Sequence, residues 1–404
     1  MVVPRPECGQ SPSMEVATAD VIVVGLGAVG SAVAHHLAAG GAKVAGIDRF
    51  RPPHDQGSSH GLTRITRLAV GEGAAFVPLV MRSHALWPAL EAASGETLHR
   101  RTGGLVIGSA EADVAKYHGQ PGFLAQTVAL AERFGIAHEL LDAATIRTRF
   151  PAFLAGDGER GYFEHDAGVL FPERIVAAQL AAARRHGATL RLGERVDRVR
   201  PGAGGVEVIT DRGRLSAARV VVTAGAWAPG LAGNAFGSTR LRVLRQVLWW
   251  FEVEEPGLYA PERCPVFIWL HGSGGRRASM YGFPMIDGVA GPKVASEQDT
   301  VESDPDRVDR QVSDADAQAI YEDHARGRLR GIRPRLLRSA TCLYTSSPDA
   351  SFLVRPHPDT DAVSFVSACS GHGFKHSAAL GEALAMQLLG RTPPVSLEAF
   401  TAPR

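Results

Sequence analysis

Two lysines in glycine-containing segments are the strongest candidates for chemically active residues in this sequence. Only four of the 43 basic residues are lysines; Lys375 ends the run SGHGFK, and Lys293 follows a Gly-Pro pair. Lysine is a compact charge whose pKa shifts on burial, whereas guanidinium stays charged and planar. Unless they are ordinary solvated loop residues, these lysines therefore indicate a task that arginine cannot perform.

A glycine motif near the N-terminus predicts dinucleotide binding. Gly25, Gly27 and Gly30 form the pattern G-x-G-x-x-G between a β-branched run and an apolar helical pattern. In this setting the first glycine permits a tight turn, the second lets backbone approach a pyrophosphate, and the third lets helix and strand pack closely. The next predicted strand ends in Asp48. This acid follows the motif by about 20 residues, the usual spacing for a carboxylate that accepts hydrogen bonds from a ribose. The motif does not distinguish NAD from FAD.

The loop after that acid contains a pattern typical of serine hydrolases. Residues 57–61 match G-x-S-x-G, and residues 271–275 resemble the oxyanion loop of lipases. A nucleophile elbow requires a strand directly before its serine. Two prolines and polar residues precede the serine here, so the sequence argues against a hydrolase.

Two arginines follow, Arg64 and Arg67, which would share a face if the segment were helical. Their apolar neighbours and their place after the dinucleotide motif favour a role for one of them in holding a substrate carboxylate with two parallel hydrogen bonds. A solvated basic face is the alternative. The positions alone leave both interpretations open.

The composition is that of a globular protein and excludes several classes. The 404 residues are 45% apolar, exceed one ordinary domain and carry a formal charge of +1, which gives no argument for nucleic acid or an anionic membrane. No uninterrupted apolar run reaches the roughly 18 residues of a membrane span, and residues 1–18 predict a disordered tail rather than a signal peptide. Four cysteines without C-x-x-C or metal-ligand spacing predict a reducing compartment, the cytoplasm, and no metal site.

Secondary-structure patterns supply the elements that must position these residues. Helical periodicity is present near residues 125–135 and 174–186, and an apolar helix follows Lys375. A β-branched strand at 219–223 leads to a second glycine-containing turn, and residues 247–251 predict an aromatic strand. We expect that strand, with Tyr281, to belong to the sheet of a substrate domain.

Several short segments together resemble monomeric sarcosine oxidase and its N-methyltryptophan oxidase relatives. The similarity runs in order from about Val21 to about Leu389. It is carried by residues 52–54, 57–61, 63–65, 67, 71–73, 77–79, 226–227, 281–284, 342–345 and 370–375.

The resemblance implies an α/β (α+β) fold like that of D-amino acid oxidase, with two domains. A discontinuous, Rossmann-like FAD-binding domain would comprise residues 19–95, 165–238 and 340–392. A mixed-sheet substrate domain would comprise residues 96–164 and 239–339.

For the cofactor, the resemblance implies FAD attached through its 8α-methyl group to Cys342. Without the resemblance, Cys342 could not be separated from Cys369, because an isolated cysteine is by default a small buried apolar residue. The predicted cofactor-binding residues are Gly25, Gly27, Gly30, Asp48, Ser59, Cys342, Gly373, Phe374 and Lys375.

For the substrate, the resemblance implies that Arg67 and Lys375 hold a carboxylate and that Lys293 activates oxygen on the opposite flavin face. The predicted catalytic residues are Lys293, Arg64, Thr63, His60 and Tyr344. The predicted substrate-binding residues are Arg67, Lys375, Glu297 and Gly371.

One position departs from the family's pattern. The family has a substrate-facing histidine four residues after its lysine, and this chain has Glu297 there. If the register holds, an acid replaces the ring, which favours a substrate with an added amine or hydroxyl group and puts plain sarcosine in doubt. If the register slips, Glu297 is a solvated loop residue.

The predicted function is oxidation of a secondary amine or N-methyl amino acid, with O2 reduced to H2O2. A cyclic amino acid such as a proline- or pipecolate-like compound is the alternative substrate. A NAD-dependent dehydrogenase and a non-enzymatic flavin-binding module are more remote alternatives. The predicted partners are a small amine and O2, with no nucleic acid or membrane, and the resemblance implies a monomer.

Overall fold

The computed structural model describes residues 17–109, 117–118, 121–272 and 279–401. The predicted disordered tail, apart from its last two residues, lies outside the described residues, as do three of the five residues of the lipase-like loop at 271–275. No helix within the described ranges is long and apolar enough to cross a membrane.

The chain alternates strands and helices through most of its length. The strands are β1 (Ala17–Val24), β2 (Val44–Asp48), β3 (Arg64–Thr66), β4 (His99–Arg101), β5 (Gly104–Gly108), β6 (Glu139–Asp142), β7 (Arg160–Glu164), β8 (Gly168–Leu170), β9 (Thr189–Leu192), β10 (Val196–Gly202), β11 (Gly205–Thr210), β12 (Gly213–Val222), β13 (Arg242–Val253), β14 (Val266–Leu270), β15 (Ser279–Phe283), β16 (Lys293–Ala295), β17 (Ile332–Ser346), β18 (Leu353–His357) and β19 (Thr360–Ser367). The helices are α1 (Ala28–Ala39), α2 (Val77–Ser94), α3 (Phe123–Phe134), α4 (Ala143–Arg149), α5 (Pro172–Arg185), α6 (Ala228–Ala232), α7 (Asp314–Ile320), α8 (Ser377–Leu388) and α9 (Glu398–Thr401).

The first sheet confirms the predicted Rossmann-like unit. Its order is β10-β11-β12-β1-β2-β9, and β19 joins the second half of β12 and carries β18 on its other side. Strand β1 pairs in parallel with both β2 and β12, and α1 packs against α5 and α8. Because helices cover a parallel sheet, its strands are buried on both faces, and Val21, Ile22, Val23 and Val24 are each at most 3% exposed.

The second sheet is mixed, as the resemblance implies. Its order is β17-β13-β16-β15-β14-β5-β7-β6, with β14 and β5 parallel and the other pairs antiparallel. The predicted aromatic strand lies within β13. Trp249, Trp250 and Phe251 are buried in the core of this sheet.

The strand that carries Cys342 belongs to this second sheet, so the predicted domain boundary at residue 340 cuts through it. Strand β17 pairs with β13 from Arg242 opposite Ser346 to Val253 opposite Ile332. The pattern within a strand shows which side chains are buried but not which sheet the strand joins. The chain returns to the first sheet only at β18 and β19.

The two arginines do not lie on a helix, so the condition under which they would share a helical face is not met. Arg64 starts β3, which pairs with β8 in a small third sheet of order β3-β8-β4, and Arg67 follows the strand. The pairing partner, Leu170, is more than a hundred residues away in the chain. A local pattern therefore could not reveal it. The predicted helices near 125–135 and 174–186, and the helix after Lys375, are confirmed as α3, α5 and α8.

Candidate active site

A cavity lies between the first and second sheets. From the first sheet it is lined at the carboxyl ends of parallel strands, by Val24, Asp48, Thr223 and Val366. From the second sheet it is lined by residues of β13, β15, β16 and β17. Ligands of open α/β sheets bind beyond the carboxyl ends of the strands, so the position is that of a nucleotide site.

Most of the predicted site residues line this cavity. They are Gly25, Gly27, Asp48, Ser59, Thr63, Arg64, Arg67, Lys293, Cys342, Tyr344, Gly371, Gly373, Phe374 and Lys375. Gly30, His60 and Glu297 lie outside its wall.

The glycine turn has a shape that larger residues would destroy. Gly25 has φ +86°, and an added Cβ would lie 2.7 Å from the Cα of Ala224. A Cβ on Gly30 would overlap the carbonyl oxygen of Gly25, so this glycine serves the close packing of α1 on β1. Ser59 Oγ accepts a hydrogen bond from the backbone N–H of Ala28 at 3.1 Å and braces the turn from outside.

Asp48 is buried at the end of β2 and already holds the turn. Its carboxylate accepts hydrogen bonds from the backbone N–H groups of Leu26 and Phe50, both at 2.8 Å. Two carboxylate oxygens offer about four acceptor sites. Asp48 can therefore bind ribose hydroxyl groups without releasing the backbone.

Several buried polar atoms in the cavity wall have no hydrogen-bond partner among the described residues. They include Thr63 Oγ1, Thr345 Oγ1, Arg67 Nε and His372 Nδ1. Buried polar groups are nearly always paired. These atoms, together with the glycine turn, fit a large polar cofactor such as FAD.

Both candidate cysteines line the cavity. Cys342 is 1% exposed, and burial raises the pKa of its thiol, an effect that the nearby Arg64 opposes. Cys369 follows β19 and lies with its Sγ 3.9 Å from Ser58 Oγ. Both residues therefore line the same cavity.

Lys293 is fully buried in the cavity wall. Its Nζ donates hydrogen bonds to the carbonyl oxygens of Gly61 at 3.1 Å and Thr63 at 2.7 Å, and lies 3.9 Å from the centre of the Phe283 ring. Burial, and then the charge of Arg64, lower the pKa of Lys293 well below its usual value. The two carbonyl acceptors oppose this effect because they stabilise the ammonium form. An ammonium group in this position acts strongly on nearby charges because little water screens it.

The predicted carboxylate-binding pair, Arg67 and Lys375, meets at a buried acid that the sequence argument missed. Glu72 accepts a hydrogen bond from Arg67 Nη2 at 2.7 Å and from Lys375 Nζ at 3.2 Å. Burial opposes ionisation of Glu72, but Arg67 and Lys375 outweigh it and hold its pKa well below the usual range. Burial likewise lowers the pKa of Lys375 to about 8, although Glu72 partly offsets the effect. The family resemblance includes Glu72 only as part of the segment G-E-G and implies no role for it.

Glu297 lies beside the predicted substrate pocket rather than in a solvated loop. Its side chain is 8% exposed and forms an ion pair with the Nε2 of His118. A Cβ on Gly371 would lie 2.9 Å from Tyr344, 3.0 Å from His118 and 3.3 Å from Glu297. These side chains therefore converge on one glycine. Nothing in the sequence singled out His118.

His60 is buried just behind the wall. Its Nε2 has no hydrogen-bond partner within the described part of the chain. Burial, and then the charge of Arg64, lower its pKa to about 4, so the ring is neutral at physiological pH. Because His60 lies outside the cavity wall, the structure does not bring this predicted catalytic residue against a ligand in the cavity.

The G-x-S-x-G segment has no strand before its serines. Ser59 braces the glycine turn, and Ser58 donates a hydrogen bond to the carbonyl oxygen of Leu343. The structure therefore agrees with the argument against a serine hydrolase.

The fold, the glycine turn and the cavity at the carboxyl ends of the strands are those of a dinucleotide-binding protein. The family described as FAD dependent oxidoreductase (DAO) matches residues 20–387, and the chain belongs to this family. This membership resolves the choice between NAD and FAD in favour of FAD and makes the protein an oxidoreductase.

Curated relatives extend the similarity over nearly the whole chain. A monomeric sarcosine oxidase of Streptomyces avermitilis is 38% identical over 385 residues, which cover 94% of this chain and 96% of that protein. An N-methyl-L-tryptophan oxidase of Salmonella arizonae is 32% identical and covers 95% of this chain and 98% of its own length. The resemblance read from the sequence is confirmed.

Solved structures share the fold. NikD, an unusual amino acid oxidase essential for nikkomycin biosynthesis, superposes with a TM-score of 0.81 at 23% identity and covers 96% of this chain and 98% of its own. L-proline dehydrogenase from P. horikoshii gives a TM-score of 0.74 at 19% identity, with 94% and 96% coverage. At such identities the likeness concerns the fold alone.

Proposed function

We propose that this protein oxidises the C–N bond of a secondary amine, in the form of an N-methyl or N-alkyl amino acid, and transfers the electrons to O2. The observation that carries the proposal is the buried pair Arg67 and Lys375 in the wall of the cofactor cavity. The names of the curated relatives support it. Cyclic amino acids are the alternative substrates because they too present a secondary amine next to a carboxylate.

The residues of the chain would bind and orient the substrate. Arg67 Nε, which lacks a partner among the described residues, and the third N–H of Lys375 can donate to a carboxylate. Tyr344 and Tyr281, whose hydroxyl oxygens are 3.2 Å apart, frame the same space. When bound, FAD supplies the chemistry by accepting a hydride equivalent from the carbon next to nitrogen. The protein's contribution is to hold that carbon in place, and positioning of this kind can lower the activation free energy by about 7–11 kcal/mol at best.

A substrate panel tests the proposal. We expect peroxide from N-methyl and cyclic amino acids and much less from amines of the same shape that lack the carboxylate. A peroxidase-coupled assay on both series measures this. Equal rates in both series would contradict the proposed carboxylate site, and no peroxide with any amine would contradict the activity.

We further propose that FAD is attached covalently to Cys342. Replacing Cys342 with serine should release the yellow colour into the supernatant after acid precipitation, whereas the wild-type precipitate stays yellow. Cys369→Ser is the matched control, because that thiol lines the same cavity. If the precipitate of the Cys369 variant lost the yellow colour and that of the Cys342 variant kept it, FAD would be linked to Cys369 instead.

We also propose that the protein acts as a monomer in the cytoplasm. The described cysteines, Cys264, Cys342 and Cys369, form no disulfides, in keeping with a reducing compartment. Light scattering after size-exclusion chromatography measures the oligomeric state.

A further inference from the structure

His118 connects the two carboxylates of the substrate pocket. Its Nδ1 lies 3.2 Å from Glu72, and its Nε2 contacts Glu297. The side chain lines the cavity and is 8% exposed. The backbone at His118 has φ +46°, a left-handed conformation that is uncommon outside glycine and costs energy, and such residues cluster at functional sites.

The ionic groups around this histidine balance only when a further anion is present. With His118 protonated, three cations (Arg67, Lys375 and His118) surround two carboxylates (Glu72 and Glu297). Among the described residues, no third carboxylate lies within ion-pair distance of these cations, so one positive charge has no counter-ion in this cluster. A buried charge without compensation is costly, so the pocket favours a ligand with one negative charge.

We propose that His118 is a specificity-determining residue for the proposed reaction, and that its imidazolium completes the charge balance for a substrate with one carboxylate, a neutral amine and an uncharged side chain. Glu72 remains on Arg67 and Lys375 while the substrate uses their remaining donors. Without His118, Glu72 and the substrate's carboxylate would share only two cations, Arg67 and Lys375. Glu297 holds the imidazolium and is a positioning residue. The negative charge of Glu297 is thus paired with His118, so Glu297 does not require a cationic group on the substrate.

The same arrangement makes carboxylate binding depend on pH. Burial disfavours the charged form of His118, but Glu297 and then Glu72 outweigh it, so its pKa is raised. The ring is protonated below that raised pKa, and affinity for a carboxylate falls as the pH rises through it. Lys375 produces another fall near its pKa of about 8. Among the described residues, the charged or titratable groups near His118 are Glu72, Glu297, Arg67, Lys375, His372 and Tyr117.

The test measures binding to the FAD-loaded enzyme by changes in flavin absorbance between pH 6 and 9. The probes are cyclopentanecarboxylate and its neutral counterpart cyclopentanecarboxamide. His118→Asn should weaken the carboxylate about tenfold or more at the low end of this range, the usual scale for losing a charge-assisted hydrogen bond. The amide should change less than about twofold, because its binding needs no charge balance. His165→Asn, which removes an exposed histidine from its pair with Glu139, is the control.

Glu297→Gln provides a second variant in case His118→Asn does not fold. It keeps a hydrogen-bonding group beside His118 but removes the charge that raises the pKa of the ring. The fall in affinity that follows the titration of His118 should therefore move to lower pH, while the fall near pH 8 from Lys375 stays. The proposal would be overturned if neither variant changed the carboxylate affinity or its pH profile. It would also be overturned if the carboxylate and the amide lost affinity equally.

The inference rests on the proposed function, but the two can fail separately. Carboxylate binding is measured without turnover, so an unaffected His118 variant that still oxidises N-methyl amino acids contradicts only the role of His118. Loss of carboxylate affinity in an enzyme that oxidises no amine contradicts only the activity. A wild-type enzyme that does not bind the carboxylate overturns the charge-balance argument itself.

Discussion

Replacing Lys293 with methionine is expected to slow the reaction of the reduced enzyme with oxygen by about 100- to 1000-fold, the usual cost of removing one preorganised electrostatic donor. Negative charge develops on oxygen in this step, and the buried ammonium group of Lys293 is poised to stabilise it. Methionine has a similar length and fills the space beside Phe283 without a charge. Oxidation of the amine substrate should change far less, because that step needs no cation at this position.

Stopped-flow measurement of the two half-reactions checks this expectation. Lys43→Met is the matched control, since Lys43 is exposed and far from the cavity wall. Equal slowing of both half-reactions would contradict the assignment and would indicate a general disturbance of the site. Lys293 also donates to the carbonyl oxygens of Gly61 and Thr63, so a thermal melt of the variant measures any structural loss separately.

Replacing Arg67 with methionine lowers kcat/KM for an N-methyl amino acid by about 100-fold or more. Truncating one partner of a buried, hydrogen-bonded charge pair between protein and ligand costs roughly 2–5 kcal/mol of binding free energy, and each 1.4 kcal/mol is a factor of about ten. Glu72 would keep Lys375 but lose its hydrogen bond from Arg67 at 2.7 Å. The variant should therefore lose both substrate affinity and stability.

Two comparisons separate these effects. Arg82→Met removes another arginine–glutamate pair, with Glu382, whose arginine is partly exposed and lies outside the cavity. It should lower stability with little effect on kcat/KM. For the Arg67 variant, an amine that lacks the carboxylate should lose much less activity than the amino acid. A proportional loss for both substrates would show that Arg67 does not bind a carboxylate.

Features that depend on neighbouring residues were predictable. The glycine turn could be recognised because its backbone requirements are local: Gly25 needs φ of +86° and Gly30 needs room against the adjoining strand. Helices α3, α5 and α8 could be recognised because their apolar residues repeat with the helical period. The family resemblance then supplied the FAD-binding fold and the pairing of Arg67 with Lys375.

Features that depend on distant pairing were not predictable. Arg64 lies in a strand because β8 offers a partner more than a hundred residues later. Strand β17 belongs to the second sheet because β13 pairs with it along most of its length. Each segment has a local pattern that is compatible with more than one neighbour, so the choice is made only when the sheets assemble.

The dinucleotide-binding turn could be recognised in the amino-acid sequence alone, because a turn that only glycine can form is a property of adjacent residues. The sequence also indicated that Lys293 and Lys375 have special roles. The groups that these lysines face became visible only in the folded protein. Glu72 meets Lys375 across 303 positions of the chain, and His118 reaches Glu297 from another segment. The energy of a buried charge depends on every charge within a few ångströms, and that neighbourhood exists only after folding.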